Sequence, residues 1–443
     1  MLKINIPEEP NWILSKLIDN GYDAYVVGGC VRDSILGNIP KDWDICTNAK
    51  PLEVKGLFAE NKIVDTGLKH GTVTLVLGDG NYEVTTYRID GEYSDGRRPN
   101  DVLFTDDLKE DLSRRDFTIN AMAYNDIDGL VDYFGGESDL QNWLLRCVGL
   151  PNDRFNEDAL RMLRAMRFSS TLGLVIEEET SKSIHDNFEL LSKISLERIS
   201  SELNKLICGL SCSTVLREYQ DVISFIIPEI KPMIGFNQHN PYHIYDVWEH
   251  TLAAILVSPQ DLEIRLAILF HDIGKPKSYS CPTGIGHFYK HHLYSEEIAK
   301  DVLRRMKYDN KTIDNVCKLV YNHSVPMVNT RRSVKRMLAV VDDLFDKLLQ
   351  VKICDMSAQS PMSIAKKKKV LENIQQIYQD VLKEKDCFTL KNLNVNGDDL
   401  ISIGYNAGKE IGIMLNRLLE LVINEKLNNT KEELLEFARV TIK

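Results

Sequence analysis

Tyr25-Val26-Val27-Gly28-Gly29-Cys30-Val31-Arg32-Asp33, followed shortly by Asp42-Trp43-Asp44-Ile45, decides the reading of this chain. An apolar run that ends in two glycines lets backbone N–H groups approach a polyphosphate where a side chain would block them, so Gly28 and Gly29 point to a phosphate site. Side chains two apart in a strand share a face, so Asp42 and Asp44 can hold one Mg²⁺ between them. Gly-Gly alone is a tight turn and Asp-x-Asp alone an exposed loop. In this order, with Arg32 opening an amphipathic stretch, they predict nucleotide chemistry.

Working outward, Glu83 in Tyr82-Glu83-Val84-Thr85-Thr86-Tyr87-Arg88 lies on a later strand and is a candidate third carboxylate. With two Mg²⁺ ions the set would activate an attacking hydroxyl and neutralise a leaving pyrophosphate. Arg97-Arg98-Pro99 sits in a long polar loop of the kind that carries function. Arg114-Arg115-Asp116 and Asn120 precede a buried strand, offering guanidinium forks to phosphate oxygens and polar groups to ribose hydroxyls.

Residues Arg154 to Phe168 read as a helix capped by Asn156, which makes Asp158 and Arg161 neighbours at i and i+3. An ordinary surface ion pair would be worth under about 1 kcal/mol. An acceptor beside a donor also complements the base edge of cytosine or adenine, whereas uracil and guanine present the reverse polarity. The pair would therefore admit CTP and ATP and reject UTP and GTP. Arg164 and Arg167 continue the basic face toward the triphosphate.

The motifs Gly28-Gly29-x-Val31-Arg32-Asp33, Asp42-x-Asp44, Arg114-Arg115-Asp116-x-x-x-Asn120 and Glu157-Asp158-x-x-Arg161 are similar to those of the bacterial class II tRNA nucleotidyltransferases, or CCA-adding enzymes, and their poly(A) polymerase relatives. The resemblance runs through nearly the whole chain. It implies a seahorse-like head, neck, body and tail, with Asp42 and Asp44 as magnesium ligands. It also implies nucleotide contacts by Gly29, Arg32, Arg115, Asp158, Arg161, Arg164 and Arg167. Glu197-Arg198-Ile199-x-x-Glu202-Leu203 resembles the family's short helical motif after the neck. Arg97-Arg98-Pro99 resembles the flexible loop of CCA- and A-adding members, which counts against a CC-only enzyme. Leu393 to Leu400 and Gly408 to Gly412 resemble the tail segment that in the family holds the tRNA elbow and body.

Eight of the ten histidines fall between His239 and His323. His250 on an amphipathic helix, His271-Asp272 after an apolar one, His291, His323 and Asp355 supply the imidazole and carboxylate mix of a transition-metal or binuclear hydrolytic site. His271-Asp272 followed by Gly274-Lys275 resembles the HD phosphohydrolase superfamily, although Lys290-His291-His292 replaces the Gly-His of many of its members.

A chain of 443 residues with 43% hydrophobic content suggests about three domains. No apolar run reaches the roughly 18 to 20 residues of a membrane span, and the N-terminus lacks a secretory apolar core, so a cytoplasmic location is expected. Nine scattered cysteines without Cys-x-x-Cys fit reduced thiols. The net charge of −11 argues against indiscriminate coating of nucleic acid. Arg304-Arg305-Met306-Lys307, Arg331 to Arg336 and Lys366 to Lys369 remain candidate phosphate-contacting runs.

Strand signals over Tyr25–Val27, Trp43–Thr47, Thr72–Leu77, Tyr82–Tyr87 and Ala121–Tyr124, then helical spacing from about residue 138, predict an α+β chain. The expected division is a nucleotidyltransferase head at 1–137, a helical neck at 138–235, an HD body at 236–362 and a tRNA-binding tail at 363–443. The expectation is a Mg²⁺-dependent enzyme that adds C, C and A to tRNA from CTP and ATP. A second divalent transition metal would sit in the HD site, and the assembly would be a monomer or a homodimer. The rivals are an A-adding enzyme, a poly(A) polymerase, which the absence of a long basic extension disfavours, and a signalling enzyme whose HD module reverses its nucleotidyl transfer. A dead RNA-binding scaffold is disfavoured by the intact Asp42 and Asp44.

Overall fold

In a computed structural model of the chain, which describes residues 3–65, 67–91, 102–282 and 284–441, the apolar run before the two glycines is the strand Ala24–Val27. It lies inside a seven-stranded mixed sheet. Across that sheet the order is Lys62–Val64, Thr72–Leu77, Gly80–Thr86, Ile45–Thr47, Ala24–Val27, Met122–Asn125 and Gly129–Asp132. Every neighbouring pair is antiparallel except Ile45–Thr47 with Gly80–Thr86. That parallel pair needs a crossover, which the helix Pro51–Leu57 and the strands Lys62–Val64 and Thr72–Leu77 supply. The strands Lys62–Val64 and Gly129–Asp132 escape the period-2 signal because they are short edges whose register comes from a longer neighbour.

The chain divides into two compact units, Met1–Ile226 and Ile227–Lys443. In the first, helix Glu8–Asp19 turns Ile13, Leu14 and Leu17 inward and packs beside strand Ala24–Val27. A small hairpin, Arg88–Asp90 with Val102–Phe104, flanks the polar loop. Arg97 and Arg98 lie outside the described residues.

One expectation needs correcting here. The helix read from Asn156 is two helices, Pro151–Glu157 and Leu160–Leu172, and Asn156 caps neither. Its amide donates back to Asn152 O at 2.8 Å, inside the earlier helix. Pro151, with its preset φ, starts that helix early, and Asp158 ends it in an extended conformation (φ −143°, ψ 103°). The Asp158 carboxylate accepts from Leu160 N at 3.0 Å, so the side chain competes for the backbone as aspartates do. Leu196–Ile207 packs along Leu160–Leu172, burying Leu203, Leu206 and Ile207.

The second unit is helical apart from the hairpin Tyr279–Ser280 with His287–Phe288. At its centre is Leu262–His271, whose residues from Ile264 onward are all buried. Such a helix is apolar all round because Val247–Leu256, His291–Arg305, Asn310–Asn322 and Phe345–Ser357 surround it. Asp246, Asp261, Asp309 and Thr330 cap their helices through side-chain oxygens. Leu400, Met414, Leu418 and Leu434 form a separate core for the last three helices. Among the described residues no helix is long and apolar enough to cross a membrane, and all nine cysteines are free.

Candidate functional site

Gly28 takes φ +81°, ψ −125°, a region that side-chain-bearing residues avoid, and hands the strand over to helix Gly29–Ile35. A Cβ there would also stand 3.1 Å from Arg115 Nη1. Glycine is thus required by conformation and by the neighbouring guanidinium.

Asp42 and Asp44 lie in the extended lead into Ile45–Thr47 and not within the strand. The alternation still holds, because Trp43 is buried between two exposed carboxylates. Asp44 O accepts from Val27 N at 2.9 Å, which ties this lead to the glycine turn. Since Ile45 pairs with Val84 in parallel, one step back sets Asp44 beside Glu83 on the same face. Desolvation within the cleft raises the Asp44 carboxyl above its ordinary value, Glu83 adds to it, Arg115 opposes and Asp42 adds again. Hard carboxylate oxygens gathered around Asp44 suit a divalent cation such as Mg²⁺.

Beside these carboxylates runs a connected basic wall. Arg32 Nη1 donates to Asn120 Oδ1 at 2.7 Å, Asn120 Nδ2 donates to Asp116 Oδ1 at 3.1 Å, and Arg164 Nε donates to Asp116 Oδ2 at 2.8 Å. Burial of Asp116 would raise its carboxyl, but the charge of Arg164, hydrogen bonds from Asn120 and Arg164 and the charge of Arg161 outweigh it and hold the group at about 2. Arg114 and Arg115 share the buried Asp111, at 2.8 and 3.4 Å. The guanidiniums of Arg32, Arg164 and Arg167 lie 5.1, 5.6 and 3.9 Å from the ring centre of Phe168. A cavity of about 290 Å³ opens here, lined by five arginines (114, 115, 161, 164 and 198) against Asp116 and Asp158.

Within this cavity the expected Asp158 and Arg161 pair is not a pair. Asp158 Oδ2 accepts from Arg198 at 2.8 Å, while Arg161 binds Glu157 at 2.5 Å and donates to Arg114 O at 3.1 Å. The broken helix separates the two side chains that a continuous helix would have stacked. Arg198 is the lining residue that sequence reasoning assigned no role, and Glu202 of the same motif takes Arg167 at 2.7 Å. The signal was present in Glu197-Arg198-Ile199-x-x-Glu202, but the partners of that motif lie about 40 residues away.

In the second unit the structure brings together all six histidines and aspartates singled out as metal candidates. Ligand atoms of His250, His271, Asp272 and Asp355 converge, and those of Asp272, His291 and His323 form a second group sharing the aspartate. The Oδ2 atom of Asp272 faces His250 and His271 at 3.5 and 3.2 Å, and Oδ1 faces His291 and His323 at 3.4 and 3.7 Å. Each Nδ1 is hydrogen-bonded to a carbonyl: His250 to Ala358 O, His271 to Ile268 O, His291 to Phe288 O and His323 to Val320 O. The Nε2 lone pairs are thereby aimed inward, at 3.3 Å between His250 and His271 and 3.2 Å between His291 and His323. Carbonyl-oriented imidazoles around a bridging carboxylate fit two transition-metal ions. His292 turns away and packs edge-on against Tyr321.

Family models match three segments: the Poly A polymerase head domain at residues 24–146, the RNA- and SrmB-binding site of polymerase A at 173–233, and tRNA nucleotidyltransferase domain 2 at 288–438. The chain is 34% identical over 432 residues to a CCA-adding enzyme of Bacillus velezensis, covering 96% of each protein. It is 49% identical over 207 residues to one of Lactobacillus delbrueckii subsp. bulgaricus, a match that spans 47% of this chain and about half, 52%, of that relative. Its fold is similar to the crystal structure of the Bacillus stearothermophilus CCA-adding enzyme in complex with CTP, with a TM-score of 0.68 and 28% identity over 98% of this chain and 99% of that one.

Proposed function

Because this chain belongs to the CCA-adding enzyme family, we propose that it extends tRNA 3′ ends with C, C and A from CTP and ATP, without a nucleic-acid template, releasing pyrophosphate. The observation that carries this reading is Arg115, which acts on the Asp44 carboxylate beside Glu83 and Asp42 and also lines the arginine-rich cavity of the same unit. Asp42 and Asp44, with Glu83, are the residues to hold Mg²⁺, which when bound lowers the pKa of the attacking hydroxyl and neutralises the leaving pyrophosphate. Gly28 N already donates to Met122 O at 3.1 Å, so Gly29, the first residue of its helix, is the one of the pair to offer a backbone N–H to the phosphates. Arg32, Arg115, Arg164 and Arg167 neutralise the triphosphate.

Asp158 accepts from the exocyclic amine of cytosine or adenine while Arg161 donates to the adjacent ring nitrogen. For that, Asp158 has to share or release Arg198, and Arg161 has to share or release Glu157. The deciding experiment supplies tRNA lacking CCA, tRNA ending in C-C and mature tRNA with CTP and ATP, separately and together. Addition of three, one and no nucleotides is expected. Failure to extend the first substrate would make it an A-adding enzyme, and continued addition to the third a poly(A) polymerase.

The second unit supports a further activity. Five candidate ligands around a shared Asp272 favour a binuclear phosphohydrolase of the HD type over a purely structural histidine cluster. Metal analysis together with turnover of cyclic phosphodiesters tests it, and a metal-free, inactive protein would refute it.

A further inference from the structure

We propose that Lys366 and Lys367 form a phosphate-recognising arm over the histidine and aspartate centre, and that its cavity takes a phosphate ester of mononucleotide size. This rests on reading that centre as a metal-dependent hydrolase. The cavity measures about 590 Å³ and is bounded by Asp272, His291, His323 and Asp355 on the ligand side and by Lys275, Lys352, Lys366 and Lys367 elsewhere. A volume in the range of roughly 300 to 1,000 Å³ suits a small organic ligand.

Two of the four lysines are already committed. Lys275 Nζ donates to Gln238 Oε1 at 2.7 Å and pairs with Asp272 at 2.6 Å. Lys352 Nζ donates to the carbonyls of His323 and Val325 at 2.6 and 2.8 Å. Lys367 reaches only the neutral Gln359 Oε1, at 2.7 Å, and Gln359 Nε2 donates onward to Asp355 Oδ1 at 3.1 Å. No carboxylate among the described residues pairs with Lys366 or Lys367. The other two basic runs differ, since Arg305 is held by Glu229 and Arg331 by Glu384 and Asp386. In a chain of net charge −11, two cations left without carboxylates beside a metal-ligand set call for an anionic ligand.

The same helix, Pro361–Lys383, carries the apolar wall. Val370 and Leu371 stand one turn beyond Lys366 and Lys367, and Ile374 one turn further. Val325 and Met327 also line the cavity. A ligand that satisfies both surfaces has phosphate at one end and a flat, weakly polar body at the other. Free nucleotides and the terminal nucleotide of an RNA share that chemistry.

Calorimetric titration of manganese-reconstituted protein with AMP, with a 3′-phosphorylated dinucleotide and with inorganic phosphate tests the proposal. Wild type, K366A/K367A and the control K368A/K369A are compared, with bound manganese measured in each. The nucleotidyl-transfer centre is identical in all three, so differences report the lysines. The expected result is at least a tenfold rise in Kd for AMP or the dinucleotide in K366A/K367A alone, with manganese retained; the tighter of the two names the source. An unchanged Kd with manganese retained would overturn the lysine arm and leave the centre standing. A wild type that binds no manganese would overturn both. AMP and dinucleotide binding no tighter than inorganic phosphate would overturn the ligand class.

Discussion

Phe168 offers one ring to three guanidiniums and also packs edge-on with Phe117, ring centres 5.8 Å apart. Each cation over an aromatic face is worth on the order of 0.5–1 kcal/mol, and holding three of them apart preorganises a triphosphate site. Phe168→Leu keeps the apolar volume and removes the π face. A rise of about fivefold to tenfold in KM for CTP and ATP is expected, with kcat less affected, in single-nucleotide incorporation assays. Gly28→Ala is harsher, because it forces a side chain into φ +81° against Arg115. A loss of about 1–3 kcal/mol in chemical denaturation, together with most of the transfer activity, is expected. At this scale Gly28, Asp42 and Asp44 were legible because the constraint on each acts within a few residues of chain. Phe168 was not, because an aromatic residue on an apolar helix face looks the same whether it fills a core or carries arginines. Arg198 was missed because its meaning comes from Asp158, across a tertiary contact.

The element to which we assign base selection is a helix break and not a helix face. Asp158 stops one helix, caps the next through Leu160 N and holds Arg198. Asp158→Ala therefore removes a cap worth about 1 kcal/mol as well as the acceptor for the base. UTP and GTP incorporation should rise relative to CTP and ATP, measured by primer-extension competition, and unchanged selectivity in both Asp158→Ala and Arg161→Ala would refute the base-reading role. The neighbouring Asp116 gives a pH signature. Its folded-state pKa of about 2 lies below the ordinary aspartate value of 3.8, so its ionised form stabilises the fold above about pH 4, and that contribution fades as pH falls toward 2. The shift corresponds to about 2 kcal/mol. Asp116→Asn should flatten the acid limb of unfolding free energy against pH over that window. The sequence showed the helix but not its break, because apolar spacing from Leu160 to Leu172 says nothing about where the preceding turn ends. Pro151, which does say so, reads as a helix start five residues before the expected cap, Asn156.

Over the whole molecule, two metal-suited centres occupy separate units and differ in kind. The first, as we propose it, is built from carboxylates near a glycine turn, a pattern that local sequence order displays. The second gathers ligands from His250 to Asp355, which lie on five different helices or their ends. Its ligands were legible as an unusual density of histidine, while the bridging role of Asp272 came only with the packing around Leu262–His271. Without a cation the inward-facing Nε2 atoms, 3.2–3.3 Å apart, press lone pair on lone pair or must share protons. A bound metal relieves this, and binding that favours the folded state over the unfolded stabilises by RT ln(1 + [L]/Kd), about 2.7 kcal/mol at a hundredfold excess over Kd. Adding Mn²⁺ to chelator-treated protein should thus raise the Tm of the second unit. His271→Ala, which deletes one ligand at the end of the central helix, should abolish that rise and lower bound manganese in the same sample. If the rise survived with full metal content, the stabilising ion would lie outside the Asp272 cluster, and the hydrolase reading of the second unit would go with it.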